Sequence, residues 1–96
     1  MGDQITTTDL YESAFYLLKG CELILIEGVR VNGTITCRLT FQGQDVGRLQ
    51  LEYFNGNATV PLFPFRRAIG QVNALVYSAK KKARNQLRQE ATGGQP

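Results

Sequence analysis

The sequence predicts an α+β fold in which helices pack on one face of a small antiparallel sheet. The expected order is helix, β-hairpin, helix or strand, optional short edge strand and long C-terminal helix. Three observations carry this expectation. A capped, apolar-periodic segment lies near the N-terminus, two strand-like runs are joined by Asn32-Gly33, and apolar residues recur at helical spacing from Phe65 to Ala79. At 96 residues, 43% hydrophobic and 20% charged, the chain has material for one core and lacks the low-hydrophobicity, high-charge signature of disorder. The expected division is a disordered stretch at 1–5, one domain at 6–79, a projecting basic helix end at 80–91 and a disordered tail at 92–96.

The first helix, about residues 8 to 19, follows Thr6-Thr7-Thr8-Asp9. There Thr6 with Asp9, or Asp9 with Glu12, has capping-box spacing. Leu10, Ala14, Leu17 and Leu18 form its apolar stripe, and Gly20 supplies the left-handed stop. The runs Cys21 to Val31 and Thr34 to Gln42 then form a hairpin, because Asn-Gly suits a two-residue type I′ turn. Placing Val31 opposite Thr34 sets Ile26 against Leu39, Ile24 against Phe41, Glu27 against Arg38 and Cys37 against Gly28. Seven residues separate Cys21 from Gly28, or about 23 Å along a strand, so no Cys21–Cys37 bridge can close.

One hairpin face carries Ile24, Ile26, Ile35, Cys37, Leu39 and Phe41 and is the expected core. The other carries Leu23, Leu25, Val29 and Val31, too apolar for pure solvation, with a covering helix preferred over a third strand or a second subunit. Residues 45–54 fit either a helix through Val46, Leu49 and Tyr53 or an alternating strand; the helix is preferred because Asn55-Gly56 follows. Ala58-Thr59-Val60 is the optional edge strand. The last helix, 64 to 89, starts on Pro64, buries Phe65, Ala68, Ile69, Val72, Leu75, Val76 and Ala79, and spans about 39 Å.

Two motifs on these elements, Thr6-Thr7-Thr8-Asp9-Leu10 with Ala14-Phe15, and Tyr53-Phe54-Asn55-Gly56-Asn57-Ala58-Thr59-Val60 with Phe65, resemble a family of short bacterial and phage-encoded proteins catalogued as a domain of unknown function. The resemblance covers about residues 5 to 78. It implies a small intracellular protein, sometimes in mobile-element settings, and favours the helical reading of 45–54. It transfers no activity and no site residue, and the basic tail lies outside it.

The residues exclude most catalytic chemistry. Histidine is absent, which removes the commonest general base and most nucleophile pairs and metal sites, and two cysteines do not make a zinc tetrad. Gly28 to Thr34 has the glycine spacing of a P-loop but lacks its lysine and sits in the hairpin. Glu22, Glu27, Asp45 and Glu52 converge on no common cleft. No catalytic residue, cofactor, metal or small-molecule substrate is therefore assigned. The longest strongly apolar run, Leu23 to Ile26, is far short of a membrane span, and the N-terminus has no signal-peptide pattern; the expected location is the cytoplasm, with no membrane partner.

What the sequence does offer is charge asymmetry. Residues 1–52 carry seven acids and four bases, whereas residues 53–96 carry seven bases and Glu90 alone. The candidate nucleic-acid contacts are Lys80, Lys81, Arg84 and Arg88, with Arg66 and Arg67 at the other end of the helix. Cations near a helix C-terminus also complement its dipole without any partner. Tyr11, Phe15, Phe41, Tyr53, Phe65 and Tyr77 are all placed at core or helix-packing positions, which argues against base readout by aromatics. A weak stripe of Val72, Val76, Ala79, Ala83 and Leu87, together with Leu23, Leu25 and Val29, is a candidate homodimer surface. The expected function is a non-catalytic binding module that contacts nucleic acid non-specifically through the basic helix. The alternative is a self-associating or protein-binding accessory protein of a bacterial or mobile-element system.

Overall fold

The computed structural model describes residues 3–92, and side-chain environments as far as residue 86. Six elements follow in order: β1 (Asp3–Thr7), α1 (Leu10–Leu18), β2 (Glu22–Val31), β3 (Thr34–Gly43), α2 (Val46–Phe54) and α3 (Leu62–Thr92). The strands form one antiparallel sheet in the order β1-β3-β2, so the fold is α+β with a long C-terminal helix. Cys37, Leu39 and Phe41 are buried on one sheet face, in a single core with Ala14, Phe15 and Tyr16 of α1, Val46 and Leu49 of α2, and Ala68, Val72 and Val76 of α3.

Strand β1 overturns the expectation of disorder at its position. Asp3 to Thr7 pair with Gly43 to Leu39, half-buried Ile5 sits opposite Phe41, and the Thr6 and Thr40 hydroxyls hydrogen-bond at 2.9 Å. β3 thereby becomes the central strand for part of its length. Residues 57–61, the suggested edge strand, are irregular chain instead. Ala58 and Val60 still pack against the core, while the sheet edge they would have occupied belongs to β1.

The hairpin turn is as the sequence dictates, with Asn32 at φ 52° and Gly33 at φ 80°. Val31↔Thr34, Gly28↔Cys37 and Ile26↔Leu39 pair as expected, and Glu27 meets Arg38 at 3.0 Å. The register then shifts at a bulge between Leu23 and Leu25, so that Leu23, not Ile24, faces Phe41. The extra residue reverses the side-chain alternation. Leu23 is turned onto the core and Ile24 is left 40% exposed. Cys21 and Cys37 are both buried and unbridged, and the Cys37 thiol donates to the Val76 carbonyl at 3.7 Å.

α1 begins where Asp9 accepts a hydrogen bond from the Glu12 N–H at 2.9 Å, the expected N-cap. It delivers Phe15 and Tyr16 to the core, the first against Tyr53 with ring centroids 5.6 Å apart and the second against Phe41 at 5.4 Å. Tyr11 is 59% exposed, contrary to its core assignment. Residues 46–54 are helical. Asp45 provides no side-chain cap and instead pairs with Arg48 at 3.4 Å.

α3 starts at Leu62, two residues before Pro64, which sits in the first turn where an N–H has no intrahelical acceptor. Its 31 residues extend about 46 Å. The helix stays on the sheet beyond the expected boundary at residue 79. A Cβ on Gly28 would lie 2.9 Å from the Ala83 Cβ and 3.3 Å from Ile35 Cγ2, so the missing side chain of Gly28 is what lets Ala79 and Ala83 cross the hairpin. The first turn after residue 79 therefore packs rather than projects. The outer sheet face, by contrast, is uncovered. Leu25 and Val31 are 49% and 51% exposed, and the expected covering by a helix does not occur among the described residues. No described helix is long and apolar enough to cross a membrane.

Candidate nucleic-acid interface

The buried stripe of α3 runs through Ala68, Val72, Val76, Ala79 and Ala83. At about 100° per residue, Arg66, Gly70, Asn73, Tyr77, Lys81 and Arg84 recur every three or four positions along one flank, with Lys80 at its inner margin. Arg66, Tyr77, Lys81 and Arg84 are exposed, and Lys80 is half-buried near the Cys37 thiol. From Arg66 to Arg84 the strip is about 27 Å long.

The expected contacts are thus divided. Arg66, Lys80, Lys81 and Arg84 share the flank. Arg67 turns the other way and lines a hollow with Leu17, Leu18, Pro64 and Gln71. Arg88 follows Arg84 by one turn in sequence, and its side chain, like that of Leu87, lies outside the described residues. Lys82 points to the opposite flank, toward β2, beside Glu27 and Leu75. Tyr77, like Tyr11, departs from its expected core position: it is 68% exposed and lies four residues before Lys81 on the same flank. Helical spacing from Val72 held that signal, but a tyrosine beside valines reads as core.

Electrostatically the flank is uncompensated. The ion pairs among the described residues are Arg38–Glu27 and Arg48–Asp45, neither involving α3. Between Leu62 and Arg88 the sequence of α3 contains no acid at all. Glu90 is the one acid of the helix, against seven cations, so the field along it is strongly positive.

The polar groups around buried Glu12 form a separate network. Glu12 is 3% exposed; its Oε2 accepts from the Tyr16 hydroxyl at 2.5 Å and its Oε1 from Thr7 Oγ1 at 2.7 Å, while Thr7 Oγ1 accepts from the Asp9 N–H at 3.1 Å. Burial pushes the Tyr16 phenol far above its ordinary range, and its bond to Glu12 adds to the rise, so Tyr16 is a fixed donor. Burial likewise pushes up the thiols of Cys21 and Cys37, with Asp45 adding to the first and Lys80 opposing the second. Such thiols are poor nucleophiles. No group of three His, Cys, Asp or Glu side chains able to hold a metal occurs among the described residues.

The self-association candidates are likewise separated. Leu23 faces inward, Val29 is half-buried and Leu25 is exposed. Val72 and Val76 are core residues and Ala83 packs on Gly28, so the supposed α3 seam is occupied within the chain. No protein family, curated protein or solved structure matches this chain.

Proposed function

We propose that the protein is a non-catalytic module that contacts nucleic acid, without sequence readout, along the outer flank of α3. One observation carries the reading: Arg66, Lys80, Lys81 and Arg84 share a flank with exposed Tyr77, and no α3 cation is ion-paired among the described residues. Cations on a rigid helix neutralise phosphates by displacing counterions, and an exposed aromatic among them offers a face for an unpaired base. A cytoplasmic setting belongs to the same proposal and is supported by the two buried, unbridged thiols.

Fluorescence anisotropy with labelled duplex and single-stranded oligonucleotides tests this. Binding tighter than about millimolar at low salt is expected, weakening with a log–log slope of about −3 if three to four phosphates are contacted. Lys81→Glu with Arg84→Glu should abolish it, and Tyr77→Ala should weaken single-strand binding by about 1 kcal/mol or more while sparing duplex. Absence of binding at low salt, or affinity indifferent to salt, would refute the reading.

A further inference from the structure

We infer that the channel running along α3 beside α1 and β2 is a docking site for an amphipathic helix of another protein, one whose apolar stripe is bordered by carboxylates. The inference stands apart from the nucleic-acid reading, because Arg66, Lys81 and Arg84 lie on the other flank of α3.

Three open hollows of about 260, 450 and 380 Å³ follow one another along α3. The first two share Leu17 and Gln71, and the second and third share Leu75 and Ser78, so they form one channel. Its α3 wall is Arg67, Gln71, Leu75, Ser78, Lys82 and Gln86, a run at three- and four-residue spacing about 28 Å long. The other wall is the end of α1, at Leu17 and Leu18, followed by Leu23, Ile26 and Gly28 of β2. Leu75 is exposed in this channel, and Leu17, Leu23 and Ile26 are only half-buried. A straight apolar channel with a helix for one wall is the shape that receives a second helix along its length. Ala74, Ala79 and Ala83 line it without bulk, which permits close approach of the two axes. An added strand fits poorly, since the bulge between Leu23 and Leu25 interrupts the edge of β2 and Glu22, Glu27 and Arg30 place charges along it.

Charge selects the class of helix. Arg67 and Lys82 stand on the same wall, about 22 Å apart along α3. Arg30, paired with Ile35 two residues beyond Gly28 on the helix face of β2, adds a third cation at the far end. None of the three is ion-paired among the described residues, and Glu27, the acid that lines the channel, is held by Arg38 at 3.0 Å. A partner therefore meets an apolar floor edged by cations. A second copy does not match it. The apolar faces of α1 and α2 are spent on the core, and α3 has no acid between Leu62 and Arg88, so its copy would set cations against cations.

Two helical peptides of about 18 residues test this by NMR titration of the full chain. Both carry the same leucine stripe, bordered by glutamates in one and by lysines in the other. The glutamate peptide should bind with a Kd of about 10–300 μM and shift Leu17, Leu23, Ile26 and Leu75, and the lysine peptide should bind about tenfold more weakly or worse. Leu75→Ala should raise the Kd of the glutamate peptide about threefold or more. Arg67→Glu with Lys82→Glu should reverse the preference between peptides. Lys81→Glu with Arg84→Glu, the same change of net charge on the other flank, should leave it intact. General attraction to a basic protein would answer to both pairs alike and would overturn the inference. So would equal binding of the two peptides, or no binding of the glutamate peptide at about 1 mM. Shifts of the channel residues with protein concentration alone would give the channel to a second copy and overturn it too.

Discussion

Gly28→Ala probes the contact that seats the second half of α3. The new methyl would lie 2.9 Å from the Ala83 Cβ and 3.3 Å from Ile35 Cγ2, while ordinary carbon contacts begin near about 3.5 Å. Ala83 has no rotamer with which to retreat, so the helix backbone must move. Overpacking of this kind costs about 1–3 kcal/mol, and the intrinsic preference of a strand for alanine over glycine returns about 0.5–1 kcal/mol. The net expectation is a loss of about 0.5–2 kcal/mol, or a fall in Tm of several degrees for a domain this size. Urea denaturation of Gly28→Ala, Ala83→Gly and the double variant closes a thermodynamic cycle. Ala83→Gly alone should cost about 1 kcal/mol as a helix glycine. With the opposing methyl gone, adding Gly28→Ala should then be neutral or stabilising, giving a coupling of about 1–3 kcal/mol between residues 55 positions apart. A neutral Gly28→Ala with no coupling to Ala83 would refute the packing of α3 on the hairpin.

Three further outcomes follow from the same geometry. Tyr16→Phe strands the buried Glu12 Oε2 without its donor and should cost about 1–3 kcal/mol, measured by urea denaturation at neutral pH. Because burial raises the Tyr16, Tyr53, Cys21 and Cys37 groups, all acids whose neutral form the fold prefers, stability should be unaffected by them below about pH 9. It should fall above that pH, as the unfolded chain releases protons that the folded chain retains; a rise in Tm between about pH 9 and 11 would contradict this sign. Gly33→Val should cost about 1–2 kcal/mol or more, because φ 80° is strained for a β-branched residue, and Asn32→Gly at the neighbouring position should be nearly neutral.

How much was legible depended on whether neighbouring residues contrasted. Asn32-Gly33 declared the turn, and through it the pairing of Glu27 with Arg38, because positive φ is cheap only for few residue types. The bulge was invisible because Leu23, Ile24, Leu25 and Ile26 are all large and apolar. A period of two cannot be read where every position is hydrophobic, and the shift came out only when Leu23 had to meet Phe41. β1 was missed for the opposite reason, since Ile5 is the only large apolar residue between Asp3 and Thr7 and its pairing is fixed by β3, more than thirty positions away. The two short stretches at residues 6–10 and 53–60 both fall at helix boundaries: Thr7 and Asp9 close the start of α1, and Asn55-Gly56 ends α2 before Ala58 and Val60 return to the core.

The candidate site shows the same division between what is local and what is not. The cations of α3 are plain in the sequence, but their usefulness depends on which of them point together, and that is set by the face the helix buries. The buried face is held at one end by α1 and at the other by Gly28, so Arg66 and Arg84 are fixed relative to each other before any partner arrives. Contacts presented on a preformed element avoid much of the ordering cost that flexible lysines on a disordered tail would pay on binding. Substitution at Gly28 therefore separates the two ends of the strip: displacing the helix over the hairpin should reduce the salt slope contributed by Lys80, Lys81 and Arg84 and leave that of Arg66 intact. Deleting residues 80–96 cannot make this distinction, because it removes Ala83 from the hairpin together with the cations.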